Sequence, residues 1–397
     1  MHFAFIAPPL TGHYKPLAAL ARELVGRGHR ATFVHHADAA PLAERRGVAF
    51  QPLPSGRIGE HLRIGGTVRE MARQMEMLCR EAPPLLRALG VDAMVADQLE
   101  PAGGLIAEHL RLPFVTAACA LPINREPGVP PPYVGWGYDP SPRGLGWNRG
   151  GWRVSDFLMR PLADAIARQA AAWSLPPRRR IEDCFSPLLE LAQAVPGIDY
   201  PRRELPAHFH YLGPFRQPGE ARFRLPELEG RPFVYCSLGT LQGGRVGLFA
   251  KVAAACADLR LPLVLTHCGR LSAGDVTGLP GEVFAYDYLP QEAVLDQALL
   301  AVTHAGFNTV LECLAAGKPM VAMPIAFDQP AVAARVAWTG VGEVVPPRRA
   351  SRRRLADAIV HVLEDGSYRD AAARAAGEIR SAGGVARAAH LIEAALR

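Results

Sequence analysis

Along the chain, apolar positions recur in two alternating rhythms. Phe3–Ala7 is a strand-length apolar run that ends at the loop Pro8–Gly12. Leu17, Leu20, Ala21 and Leu24 follow at i, i+3, i+4 and i+7, the spacing of one helix face, and Gly28 stops that helix. Ala31–His36 reads as the next strand. Val68, Met71, Ala72, Met75, Leu78 and Cys79 predict a second helix near Val68–Cys79. Strands Ala93–Asp97 and Phe114–Ala120 bracket a short helix around Leu105–Leu110. Strand alternating with helix argues for an α/β chain with a parallel, doubly wound sheet.

The rhythm breaks over Gly128–Arg180, which is rich in Pro, Gly and Arg and holds Trp136, Trp147, Trp152 and Trp173. Helical spacing returns near Ser155–Ala172. A Pro, Gly and charge-rich stretch around Tyr211–Gly230, with Gly213-Pro214 and Pro218-Gly219, marks a boundary. Strands are then expected at Phe233–Ser237, Pro262–His267, Val283–Tyr288, Leu300–His304, Met320–Pro324 and Glu343–Val345, with two helices closing the chain after Ser351. The expected plan is a first domain over residues 1–215 with an insertion at 128–180, a linker at 216–230, and a second domain over 231–397. The last helix is expected to pack back on the first domain. Two such domains leave a deep cleft, with sites at the carboxyl ends of the strands.

Composition narrows the class. At 397 residues and 49% hydrophobic, the chain can bury a sizeable core, which excludes global disorder. No apolar run approaches the roughly 18–20 residues of a membrane-spanning helix. The apolar N-terminus lacks a basic flank, so a cytoplasmic protein is expected. The net charge of +6 is carried almost wholly by arginine, since lysine occurs only at Lys15, Lys251 and Lys318. With abundant Ala, Gly and Pro, that bias fits a GC-rich genome. Arg178–Arg180 and the arginines at 348, 349 and 352–354 read as solvated faces, and no nucleic-acid partner is expected. Seven scattered cysteines without a C-x-x-C pair suggest reduced, buried thiols and no metal site. The pairs His35-His36 and His208-x-His210 read as surface or strand-end residues.

The densest chemistry lies at Thr303-His304-Ala305-Gly306-Phe307-Asn308-Thr309-Val310-Leu311-Glu312. A strand ending at His304, a turn at Gly306 and a helix beginning near Asn308 aim free N–H groups and the helix dipole into the cleft, which suits a pyrophosphate. Glu312 follows Asn308 on the same helix face, where a carboxylate can accept from a ribose diol. The turn Ser237-Leu238-Gly239-Thr240 offers more donors. Asp328-Gln329-Pro330 places a carboxylate and a carboxamide at a strand's end, suited to sugar hydroxyls. Taken singly, these pieces also read as an ordinary helix cap and a plain turn. The continuous run from His304 to Gln329 resembles the donor-binding signature of family 1 UDP-sugar glycosyltransferases, which have the GT-B fold. That resemblance implies that His304, Gly306, Asn308 and Thr309 hold the diphosphate with Ser237, Gly239 and Thr240. It implies Glu312 for the ribose and Asp328 and Gln329 for the hexose. Tyr288 stands where plant members carry a uracil-stacking Trp, Leu289 and Gln291 of the same stretch are expected to meet the donor, and Phe307 replaces a second Trp of the motif.

Gly12-His13-x-x-Pro16 sits at the carboxyl end of the first strand, and Asp97 ends the strand Ala93–Asp97. A neutral imidazole can take a hydroxyl proton while a carboxylate behind it fixes the tautomer. Capping roles fit the same two residues. The resemblance selects His13 as base and Asp97 as its partner. No D-x-D triplet and no G-x-x-x-x-G-K-[ST] occurs, so a metal-held nucleotide and a P-loop are both disfavoured, and no cofactor is expected beyond the nucleotide-sugar co-substrate.

Asp97–Gly103, Ala118–Gly128, Cys184–Pro187 and the stretch from Asp199 to Pro214 resemble one subgroup, the bacterial zeaxanthin glucosyltransferases of carotenoid pathways. The subgroup implies inverting glucose transfer from UDP-glucose to the terminal ring hydroxyls of zeaxanthin, at one end and then the other. Cys119, Leu121, Ile123, Asn124 and Trp136 are expected to meet the acceptor. A bilayer-dwelling acceptor implies peripheral contact with the inner face of the membrane. Residues 128–180, with Tyr133, Trp136, Tyr138, Trp147 and Trp152 among Arg143, Arg149, Arg153 and Arg160, are the expected contact. A Pro-stiffened surface loop fits the same stretch equally. Another xanthophyll, a polyketide aglycone, or a non-catalytic relative that binds a partner enzyme are the competing readings.

Overall fold

The computed structural model describes residues 1–55, 64–216, 223–228 and 230–396. Part of the expected linker, including Pro218-Gly219, lies outside the described residues. Two separate parallel sheets carry the fold. The first comprises β1 (His2–Ile6), β2 (Arg30–His36), β3 (Ala49–Leu53), β4 (Ala93–Asp97), β5 (Phe114–Ala118), β6 (Glu190–Ala192) and β7 (Phe209–Tyr211), in spatial order 3-2-1-4-5-6-7. The second comprises β8 (Val234–Ser237), β9 (Leu263–Thr266), β10 (Val283–Tyr286), β11 (Leu300–Thr303), β12 (Met320–Ala322) and β13 (Gly342–Val344), in order 10-9-8-11-12-13. Strand order reverses between β1 and β4 in one sheet and between β8 and β11 in the other. In open α/β sheets such reversals open a crevice at the strands' carboxyl ends.

The main helices of the first half are α1 (Thr11–Gly26), α2 (Ile64–Leu89), α3 (Ala102–Leu110), α4 (Pro142–Leu158) and α5 (Arg160–Ala172). Those of the second half are α6 (Val246–Asp258), α7 (Gln291–Gln297), α8 (Phe307–Ala315), α9 (Gln329–Trp338), α10 (Arg352–Glu364), α11 (Gly366–Ala382) and α12 (Gly384–Ala395). Each sheet has an apolar layer on both faces, as a parallel sheet requires. One of these layers crosses between the halves, joining Leu121, Ala194, Val195 and Ile198 to Val310, Leu311 and Val332. Helix α12 packs on α1, with Arg27 and His29 both contacting Glu393.

Several expected boundaries move. Strands β3, β6 and β7 were not expected. Asp365 and Gly383 split the closing region into three helices instead of two. The segment before Ser155 is helical from Pro142, despite its glycines. Ser141 Oγ accepts the Gly144 N–H at 3.2 Å and Pro142 pre-sets the first turn. Gly151 is needed there because a Cβ would stand 2.8 Å from the Trp136 ring. His35 and His36 end β2 but are buried, not surface residues; β1 and β3 flank the strand and the chain folds over its end.

Candidate functional site

The reversal between β1 and β4 brings together residues 84 positions apart. α1 starts just beyond β1, and His13 in its first turn donates its Nδ1–H to Asp97 Oδ2 at 2.8 Å, at the end of β4. Leu99 N–H donates to Asp97 Oδ1 at 2.8 Å, and the buried Cys119 thiol also faces this carboxylate. Burial pushes the Cys119 thiol well up, so it stays protonated as a donor. Three donor groups therefore surround Asp97 and leave the far ring nitrogen of His13, Nε2, for a substrate. Burial opposes the His13 charge, but Asp97, with Asp328 and Glu100, outweighs it and raises the pKa above 6.5. Asp328 sits at the start of α9, so the second half of the molecule reaches the base. Glu100, which the sequence did not single out, is buried beside the pair, and burial pushes its carboxyl up to about 8.

The second reversal builds the facing turn. Thr303 and Ser237 are paired at the ends of β11 and β8. Beyond them the His304 ring lies between two glycines. A Cβ on Gly239 would stand 2.6 Å from the ring, and one on Gly306 would stand 2.3 Å from Nε2, so neither position admits a side chain. Ala305 completes the turn in the left-handed region, φ 61°, at a cost of roughly 1–2 kcal/mol. Burial holds the His304 ring down at about 4, against a contact with the Ser237 backbone, so it is neutral. The open amino end of α8 beside it fits an anionic ligand. Thr309 is buried in the first turn of α8, and Ser237 Oγ accepts the Gly239 N–H at 3.4 Å.

Cross-cleft contacts engage two of the expected donor residues. Pro16 has no N–H, which leaves the Gly12 carbonyl without its helical partner. Asn308 Nδ2 fills that vacancy at 2.7 Å, and Gln193 Nε2 donates to Asn308 Oδ1 at 2.6 Å. Glu312 is buried and held from both sides, by Lys15 Nζ across the cleft and by Gln291 Nε2. Gln291 Oε1 accepts from the Tyr235 hydroxyl at 3.0 Å. Gln329 Oε1 accepts from Ile325 and Ala326 N–H, each at 2.8 Å, leaving its amide nitrogen for a ligand. Tyr288 is exposed beside the half-buried Leu289, open to stack on a planar base.

The expected acceptor residues do not converge. Cys119 lies behind the His13–Asp97 pair and Leu121 belongs to the shared apolar layer. Asn124 Nδ2 is tied to Glu190 Oε2 at 2.8 Å, and its carbonyl to Arg202. Trp136 packs edge-on against Trp147 at 5.8 Å and on Gly151. Ile123 lines an open cavity of about 400 Å³, with Tyr133, Trp152 and Phe157. Lys15 and Gln193 were missed. Lys15 offered one signal, a rare lysine two residues after His13; Gln193 offered none.

Two parallel sheets, each with its reversal turned toward a shared cleft and with a base on one side and an anion-fitting turn on the other, define a two-domain transferase architecture. Residues 251–393 match the C-terminal domain described as erythromycin biosynthesis protein CIII-like. The glycotransferase of kitacinnamycin superposes with a TM-score of 0.80 at 23% identity, over 100% of this chain and 99% of that one. The zeaxanthin glucosyltransferase of Pseudescherichia vulneris is 42% identical over 100% of this chain and 98% of its own length. That of Pantoea ananas is 38% identical over 99% and 95%. The chain belongs to the GT-B glycosyltransferases, in the family that includes these zeaxanthin glucosyltransferases.

Proposed function

We propose that the chain transfers glucose from UDP-glucose, with inversion, to a ring hydroxyl of zeaxanthin, forming the monoglucoside and then the diglucoside. The hydroxyl proton passes to His13 Nε2. The freed oxygen attacks the anomeric carbon, and the bond from that carbon to the diphosphate breaks with its electron pair leaving on UDP. Asp97 holds the imidazole and stabilises its charge. The amino end of α8, His304 and the Ser237–Thr240 turn receive the charge that develops on the leaving group. Glu312 takes the ribose, Asp328 and Gln329 the hexose, and Tyr288 the base. The absence of a D-x-D triplet supports a reaction independent of added metal.

The observation that carries this reading is the His13–Asp97 pair at 2.8 Å, with Asp328 from the opposite half close enough to raise the histidine's pKa. Base and hexose-binding carboxylate thus meet at one point. The two zeaxanthin glucosyltransferases, matched along their length, support the acceptor. The test is product mass spectrometry with UDP-glucose, EDTA and zeaxanthin in vesicles. One and two added hexoses are expected, with His13→Ala retaining UDP but losing about 10²–10⁴-fold in rate. UDP binding without any glucoside would overturn the acceptor, and full turnover by His13→Ala would overturn the mechanism.

A further inference from the structure

Helix α4 turns an unusual face outward. Trp147, Val154 and Leu158 fall at i, i+7 and i+11, one line along the helix, and Phe157 stands beside them. All four are exposed, Phe157 by 72% and Trp147 and Val154 by 59% each. Gly144, Asn148 and Ser155, on the neighbouring side of the helix, pack inward. Exposed Arg143, Arg149 and Arg153 lie on the Phe157 side of that line, and Arg160 follows at the start of α5. From residue 142 to residue 180 there are eight arginines against two carboxylates. The face ends at the 400 Å³ cavity, whose lining includes Phe157, Met159, Arg160, Arg179 and Arg180. Among the described residues, no helix is long and apolar enough to cross a membrane.

We propose that the outer face of α4 docks the protein on an anionic lipid bilayer, with Trp147, Val154, Phe157 and Leu158 in the headgroup layer and the arginines on lipid phosphates. An amphipathic helix with an apolar stripe and a cationic border lies in the plane of such an interface. Charge selects this occupant, because a purely apolar partner would leave the arginine border unmatched. The inference deepens the reading of a lipophilic acceptor. It also changes which residues make the contact: Trp136 and Trp152 are braces for α4, and the outward line of α4 does the docking. Phe157 belongs both to this exposed set and to the lining of the cavity, so an apolar molecule leaving the bilayer at Phe157 meets an arginine-rimmed recess.

The test is flotation of the full chain with vesicles of phosphatidylcholine, alone or with about one-third phosphatidylglycerol. Binding is expected only with the anionic lipid. It should fall at least tenfold in Trp147→Ser/Phe157→Ser and, independently, in Arg149→Glu/Arg153→Glu, and weaken with salt. Quenching of tryptophan fluorescence by brominated lipid should disappear in Trp147→Phe. UDP affinity, read by calorimetry, should be unchanged in every variant, so a failure here is separable from a failure of the catalytic reading. Equal binding to neutral vesicles, or binding unaltered by both variants, would overturn the proposal. Lipid-free self-association of the parent that Trp147→Ser/Phe157→Ser abolishes would assign the face to a second copy and overturn it too.

Discussion

At the scale of single residues, His13 carries a contest between burial and charge. Burial favours the neutral ring, while Asp97, Asp328 and Glu100 favour the cation, and the charges win. A general base must be neutral to act, so kcat/KM should rise with pH along a limb centred above 6.5. Glu100 is itself neutral until about pH 8, so it favours the cation only as it ionises, and Glu100→Gln should move the upper part of that limb to lower pH; an unmoved limb would exclude Glu100 from the site's electrostatics. The same carboxyl makes a stability prediction. Its pKa is raised from 4.5 to about 8, so its contribution is complete below 4.5 and is lost as pH climbs toward 8. Thermal melts at the two ends of that window should show the parent losing more than Glu100→Gln does. Equal losses would mean that Glu100 is not held neutral.

At the scale of elements, α9 joins the two halves at both of its ends. Its first turn carries Asp328 and Gln329, and two turns later Arg335 is buried with Nε and Nη2 each 2.8 Å from Asp199 Oδ1. Arg202 holds the other Asp199 oxygen at 2.8 Å and also donates to the Pro122 and Asn124 carbonyls. The end of α9 proposed to meet the hexose is thereby linked, through one buried aspartate, to the loop after β5. Removing one member of a buried ion pair strands its partner, at roughly 3–5 kcal/mol. Arg202 and Tyr211 still serve Asp199, so Arg335→Met should fall near the lower end in urea unfolding. Arg335→Met with Asp199→Asn should cost less than the two single losses added. Additive losses would show the pair to be uncoupled. Nothing local announced this contact. Arg335 sits inside an apolar helical pattern where an exposed position would read the same, and its partner is 136 residues away. By contrast, the strands on either side of each reversal were legible, because long β-branched or apolar runs fill β1, β4, β8 and β11 on both faces. Strands β6 and β7 were not, since three residues such as Glu190–Ala192 carry no period to read. The helical turn at Pro142 was masked by glycines, of which Gly151 is needed for a close approach to Trp136 that exists only after folding.

At the scale of the whole molecule, the two halves are held together by groups that the proposed donor site also uses. Glu312, expected on the ribose, is paired with Lys15 across the cleft, and Asn308 is bonded to the Gly12 carbonyl that Pro16 leaves free. A ribose diol would compete with Lys15 for the same carboxylate. Lys15 is half exposed, with 47% of its side chain open, so its pairing is screened and worth about 1 kcal/mol or less. Lys15→Met should therefore remove a competitor and tighten UDP by up to about fivefold. Uridine, which presents the ribose without phosphate, should gain by the same factor, and inorganic pyrophosphate should gain nothing. The effect should vanish in a Glu312→Gln background, where there is no charge to compete for. If Lys15 instead turned to the diphosphate once the ribose displaced it, UDP and pyrophosphate would both weaken while uridine still improved. Calorimetry with the three ligands separates these cases. A uridine affinity unchanged by Lys15→Met would overturn the competition, and Glu312 would then have to meet the ribose with Lys15 still in place.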